Sequence, residues 1–266
     1  MHLTSETGSD GVVQRRFVVD GVPGVLWLPA SSEPSEPSEP SDGPERSEPG
    51  GRPLVLLGHG GGQHKTAPGV VERARRCVTR YGYAAVALDA PGHGERNRSA
   101  QDERFATEIG ELLAAGRPIS AWVARHTAAL AERAVPEWRA VLDALGAIGE
   151  GLGPVGYWGL SLGSVVGIPL AAAEPRITAA VFGLTGLTGQ TSPTEAAGRV
   201  GVPLRFLLQW DDELVPREAA LALFGALGSR EKTLHANPGG HEAVPDFELA
   251  SSERFLCRRL RPGAGA

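Results

Sequence analysis

Ser161 sits in Gly159-Leu160-Ser161-Leu162-Gly163, which fits the pattern G-x-S-x-G. A chain with 36 glycines would give such a match by chance roughly 0.3 times, so the flanking residues must decide its meaning. Pro154-Val155-Gly156-Tyr157-Trp158 reads as a strand entering the motif, and Ser164-Val165-Val166-Gly167-Ile168 as a helix leaving it. A serine on so tight a turn has a strained backbone and an exposed hydroxyl. The chemistry open to it is attack on a carbonyl carbon. A hydroxyl is a poor nucleophile, so it needs a base, and the base needs an orienting acid.

Histidines occur at 2, 59, 64, 93, 126, 235 and 241. With a strand-turn-helix nucleophile the acid and then the base follow in chain order, and only His235 and His241 come late enough. His235 lies in the strand-like run Lys232-Thr233-Leu234-His235-Ala236. His241 follows Pro238-Gly239-Gly240, a loop able to hold an imidazole over a sheet edge, and is the candidate base. The acid should end an intervening strand. Residues 177–182 lead into Gly183-Leu184-Thr185-Gly186, which has no carboxylate. Residues 204–209 lead into Trp210-Asp211-Asp212-Glu213, so Asp212 is the preferred acid and Asp211 the second choice.

An oxyanion would need main-chain donors. Leu162, just after the nucleophile, is one candidate, and Gly61 in His59-Gly60-Gly61-Gly62 is the other, with Gly62 beside it. A phosphate cradle is the competing use of such a loop, but neither GxGxxG nor a Gly-Lys-Ser/Thr ending is present. His64 and Lys65 follow this loop and either face the pocket mouth or pack within the loop. Facing the mouth, Lys65 with Arg96 and Arg98 would attract an anionic acyl group. His93, in Pro91-Gly92-His93-Gly94, is read as shaping its loop rather than as a second base. Trp122 and His126 are either pocket wall or helix-to-helix packing.

The elements that must position these groups alternate. Strand signals fall at 54–57, 84–88, 155–158, 177–182 and 204–209, and helix signals at 68–81, 162–173, 217–227 and 245–260. This alternation predicts an α/β fold: a mostly parallel central sheet with helices on both faces. Runs at 12–19 and 22–28, joined at Asp20-Gly21, predict an N-terminal antiparallel hairpin. Between 98 and 149 the pattern is helical only. Pro136 fits the first turn of a crossover helix striped by Trp138, Val141, Leu142, Leu145 and Ile148. The surplus, about 99–134, reads as an inserted helical flap.

Length and charge narrow the remaining classes. The 266 residues suffice for a single domain with a sizeable core. The net charge of −5 has one source: residues 31–50 hold five Glu and one Asp against one Arg, which leaves the rest of the chain neutral. That segment repeats Ser-Glu-Pro, has no residue able to build a core, and predicts a disordered loop insertion over 31–51. The charge balance argues against nucleic-acid binding. No apolar run is long enough for a membrane span, and the N-terminus lacks a signal pattern. Cys77 and Cys257 are too few for a disulfide framework and form no zinc motif, so both are expected reduced in a cytoplasmic protein without metal or cofactor. Oligomeric state stays open.

Together, His59-Gly60-Gly61-Gly62, Asp89-Ala90-Pro91-Gly92-His93-Gly94, the turn at Ser161 and the pair Asp212 and His241 resemble the α/β-hydrolase superfamily over about 54–260. Gly58 to Lys65 is similar to the dienelactone-hydrolase-like and acyl-esterase branches. The nucleophile here is serine, where dienelactone hydrolase proper has cysteine. The resemblance implies a Ser161–His241–Asp212 triad, an oxyanion hole at Leu162 and Gly61, and hydrolysis of a small-molecule ester, thioester or lactone through an acyl-enzyme. An acyltransferase or cyclase would use the same triad, and a binding protein could keep the fold with a disused site.

Overall fold

The computed structural model describes residues 1–30, 51–117, 120–147, 152–187 and 193–261. The Ser-Glu-Pro insertion at 31–50 lies outside the described residues. Strands β1 (His2–Ser9), β2 (Val12–Val19) and β3 (Val22–Pro29) form an antiparallel meander. Strands β4 (Arg52–Gly58), β5 (Ala84–Leu88), β6 (Leu152–Gly159), β7 (Ile177–Gly183), β8 (Leu204–Gln209) and β9 (Lys232–Asn237) pair in parallel. All join one sheet in the order β1-β2-β3-β5-β4-β6-β7-β8-β9, with β3 antiparallel to β5. Helices α1 (Pro68–Tyr81), α2 (Ala100–Ala114), α3 (Ser120–Ala147), α4 (Leu162–Ala173), α5 (Pro193–Arg199), α6 (Arg217–Ala226) and α7 (Asp246–Arg259) connect or follow the parallel strands.

The central strands β3, β4, β5, β7 and β8 are buried on both faces, with successive residues pointing to opposite sides of the sheet. Leu54, Leu56, Val86, Tyr157 and Phe182 face one apolar cluster with Val141, Leu142 and Leu145 of α3 and Val166 and Leu170 of α4. Val55, Leu57, Ala85, Ala87, Trp158 and Val181 face the other, with Val70, Ala74 and Cys77 of α1 and Leu256, Cys257 and Leu260 at the end of the chain's described part. Both cysteines are buried and free. The chain crosses from β4 outward to β5 and then back over to β6. Strand order therefore reverses beside β4, and the loops leaving β4 and β6 lie at the carboxyl edge of the sheet, where open α/β sheets place their ligand sites. Among the described residues, no helix is long and apolar enough to cross a membrane.

Two elements differ from the sequence reading. The N-terminal hairpin β2–β3 is present and is extended to a three-stranded meander by β1, which the apolar pattern does not mark. Its residues are exposed throughout, so no apolar alternation marks it. The signal that was present is Asp10-Gly11, whose φ values of 51° and 74° match the turn made by Asp20-Gly21 at 48° and 80°.

The second difference is at Pro136, which does not start a helix but lies inside α3. Leu130, Ala134, Trp138, Val141, Leu142 and Leu145 are all buried at helical spacing, so one stripe runs through the proline. Burial of that stripe outweighs the one hydrogen bond a proline removes. The expected boundary near residue 134 thus falls within a continuous helix. Pro136 itself is exposed. Replacing it with alanine should restore a main-chain bond and stabilise the protein by roughly 1–2 kcal/mol in guanidinium unfolding. A loss of stability would contradict this account of α3.

Candidate active site

Ser161 occupies the turn between β6 and α4 with φ 54° and ψ −121°, a conformation that non-glycine residues avoid. Such a backbone costs of order 1–3 kcal/mol and persists only where its surroundings fix it. The fixing groups are in place. The Ser161 N–H donates to Gly183 O at 2.9 Å, tying the turn to β7. Ser164 Oγ accepts from Gly183 N–H at 2.8 Å, and lies 2.7 Å from both Gly159 O and Gly183 O. The Tyr157 hydroxyl donates to Gly163 O at 2.6 Å. The two motif glycines are demanded by close approach. A Cβ at Gly159 would lie 2.6 Å from the Gly163 carbonyl carbon, and one at Gly163 would lie 3.0 Å from Gly58 O.

His241 and Asp212 reach Ser161 from neighbouring loops. His241 Nε2 is 2.9 Å from Ser161 Oγ, and His241 Nδ1 is 2.8 Å from Asp212 Oδ2. A carboxylate only accepts, so the Nδ1 proton donates to Asp212 and Nε2 is left to accept the serine proton. Asp212 Oδ1 accepts the Leu214 and Val215 N–H groups at 2.8 and 2.9 Å, which turns Oδ2 toward the imidazole. Asp211 points elsewhere, its Oδ2 accepting the Gly239 N–H at 3.1 Å. The structure thus brings Ser161, His241 and Asp212 into one hydrogen-bonded line and leaves Asp211 out.

Leu162 is the first residue of α4, so its N–H has no acceptor within the helix. Gly61 lies exposed in the turn after β4, which is closed by Gln63 N–H to Gly60 O at 3.2 Å. His64 is exposed and bonded within its own loop, with Nδ1 3.0 Å from Thr66 Oγ1.

Lys65 corrects the expectation that it could face the pocket mouth. It is 2% exposed, and its ammonium lies 2.6 Å from Asp89 and 2.9 Å from Glu95. Arg96 is likewise taken up by Glu137, in two bonds of 2.7 Å. Neither cation is free to draw in an anionic acyl group. His126 stacks on Phe105 with ring centroids 3.5 Å apart, between α3 and α2. The Trp122 side chain lies outside the described residues.

Two buried polar residues of the site region, Asp89 and His59, hold loops together in a way their motifs do not reveal. Asp89 is 1% exposed and accepts the Lys65 N–H, the Lys65 ammonium and the Glu95 N–H. Burial alone would push its carboxyl up, but these bonds outweigh burial and hold it below the usual range. His59 accepts the Ala90 N–H at Nε2 (3.0 Å) and bonds Gly60 O through Nδ1 (2.8 Å). These contacts join the loop after β4 to the loop after β5. Burial holds His59 well below its ordinary 6.5, at about 4, so it is neutral at pH 7.

This has a consequence for stability. The folded value lies below the unfolded one, so between about pH 6.5 and 4 the unfolded chain takes up a proton that the native imidazole refuses. The contribution is full above that window and is lost as pH falls through it, by up to roughly 3 kcal/mol. His59→Gln keeps an acceptor for Ala90 but cannot titrate. Unfolding measured at pH 7 and pH 4.5 should therefore show a smaller acid loss in the variant than in wild type, and equal losses would contradict the assignment.

Comparison with known proteins adds an independent finding. The chain is similar to a cold-adapted esterase from an Arctic intertidal metagenomic library, solved bound to PEG. Identity is 35% over 98% of this chain and 100% of that one, with a TM-score of 0.73. The fold is shared at lower identity with the Pyrococcus furiosus esterase Pf2001 (11%, TM-score 0.61), with 93% of this chain and 90% of that chain covered. It is shared also with Est1E from Butyrivibrio proteoclasticus bound to ferulic acid (16%, TM-score 0.60), with coverages of 92% and 98%. No protein-family profile matches the sequence, and none of the curated proteins matches it.

Proposed function

The chain belongs to the α/β-hydrolase superfamily, and from that premise we propose that it is a serine esterase working through an acyl-enzyme on Ser161. One observation carries the reading: a single imidazole, His241, lies within hydrogen-bond reach of both a strained, part-exposed serine hydroxyl and a buried carboxylate. That is the geometry acyl transfer requires.

In the first half-reaction Ser161 Oγ attacks the carbonyl carbon while His241 Nε2 takes its proton. The imidazolium is stabilised by Asp212, which also keeps Nδ1 protonated and the ring aimed. Negative charge gathers on the former carbonyl oxygen. The Leu162 and Gly61 amides would receive it, helped by the positive N-terminal end of α4. When the tetrahedral species collapses, His241 returns the proton to the leaving alkoxide or thiolate. Water then attacks the acyl-serine with His241 again as base, releasing the acid and restoring the enzyme. The scheme calls on no metal or organic cofactor. Its substrate class is a small carboxylic ester, thioester or lactone.

The test joins labelling to kinetics. A fluorophosphonate should label the wild type and fail to label Ser161→Ala, and persistent labelling of that variant would refute the nucleophile. With an ester panel, Asp212→Asn should lower kcat by about four orders of magnitude, since the amide stabilises the wrong imidazole tautomer. Asp211→Asn should lower it by less than about tenfold. Comparable losses in the two would overturn the assignment of the acid.

A further inference from the structure

Resting on that reading, we propose that Glu213 is a positioning residue that acts on the reaction through the main chain of His241, and that Gly240 is its necessary partner. The reason begins with where the imidazole is mounted. His241 lies in a loop, directly after Gly239 (φ 105°) and Gly240. Two successive glycines leave a chain unusually free, so the position of the ring depends on whatever removes that freedom.

The restraints come from the segment that follows β8. Trp210 N–H donates to Asn237 O at 2.7 Å, and Asp211 N–H to Gly239 O at 3.2 Å. The Gln209 amide nitrogen donates to Ala243 O at 2.9 Å, and Asp211 Oδ2 accepts the Gly239 N–H. These hold the loop at its two ends. At the histidine itself the restraint is Glu213, whose Oε2 accepts the His241 N–H at 3.0 Å. Asp212 and Glu213 are adjacent in sequence. One strand end therefore grips the ring of His241 through the first carboxylate and its backbone through the second.

Gly240 makes this grip possible. A Cβ there would lie 2.6 Å from Glu213 Oε2, so any side chain would displace the carboxylate. Its backbone needs no positive φ, so alanine at 240 meets no conformational obstacle besides Glu213. The effect of Glu213 is exerted through the bond and not through long-range charge. The side chain is exposed, where solvent and salt screen its field. The bond to the His241 N–H in turn holds its carboxyl below the usual range.

Four variants and two readouts test the proposal. Glu213→Ala should lower kcat about tenfold with KM changed by less than about twofold, the loss expected when a main-chain bond that aims the base is removed. Glu213→Gln, which keeps the acceptor without the charge, should stay within about threefold of wild type. Gly240→Ala should reproduce Glu213→Ala, and the double variant should be no worse than either single one. The second readout is the low-field proton NMR signal of His241 Nδ1–H. It should persist in wild type and Glu213→Gln, and broaden or shift in Glu213→Ala and Gly240→Ala. Wild-type kcat and an unchanged signal in Glu213→Ala would overturn the proposal. So would a Glu213→Gln variant as impaired as Glu213→Ala, or independent, multiplying losses at 213 and 240. The NMR comparison does not depend on turnover. If the wild type neither labels with fluorophosphonate nor cleaves esters while the signal responds as stated, the esterase reading fails and the grip on His241 stands.

Discussion

The backbone of Ser161 is held where a serine does not rest by choice, and the molecule is arranged around that restraint. At φ 54° and ψ −121° the residue pushes its hydroxyl away from the sheet. What holds it there is main-chain and hydroxyl bonding from three neighbouring segments: Gly183 at the end of β7, Gly159 at the end of β6, and Ser164 in the first turn of α4. All three are anchored in the two apolar clusters on either face of the sheet, so the strain is borne by core packing.

The same logic extends along the carboxyl edge of the sheet. Ser161, Asp212 and His241 each follow a different parallel strand, and polar contacts fasten these loops to their neighbours. His59 and Asp89 fasten the loops after β4 and β5. Asp211, Asp212 and Glu213 fasten the segment after β8 to the loop after β9. A parallel sheet makes this possible because it delivers successive loops to one edge at fixed spacing.

Much of this was legible in the amino-acid order, for identifiable reasons. Ser161 stands out because a tight turn demands glycines at 159 and 163, and that demand is local. His241 stands out because two glycines and a proline mark a loop after the last strand. The alternating strands and helices were found because burial on both faces leaves an apolar period that a single chain displays. What stayed hidden depends on distant partners. Asp211 and Asp212 are indistinguishable by type, and their roles differ only because Leu214 and Val215 turn one carboxylate inward. Lys65 looks like a surface cation until Asp89, 24 positions on, is seen beside it. Pro136 looks like a helix start, because a stripe spanning both of its sides is decided by the core and not by propensity. β1 carries no apolar period, and only its turn announced it.

The central claim is that Ser161 becomes covalently acylated during turnover. Mixing the protein with excess ester, quenching within the first turnovers and mapping the digested chain by mass spectrometry addresses this directly. The account requires the acyl mass on the peptide containing Ser161, appearing within the first turnover and disappearing when the ester is exhausted. Sustained ester cleavage with no adduct on that peptide, or with the acyl group on another residue, would contradict it.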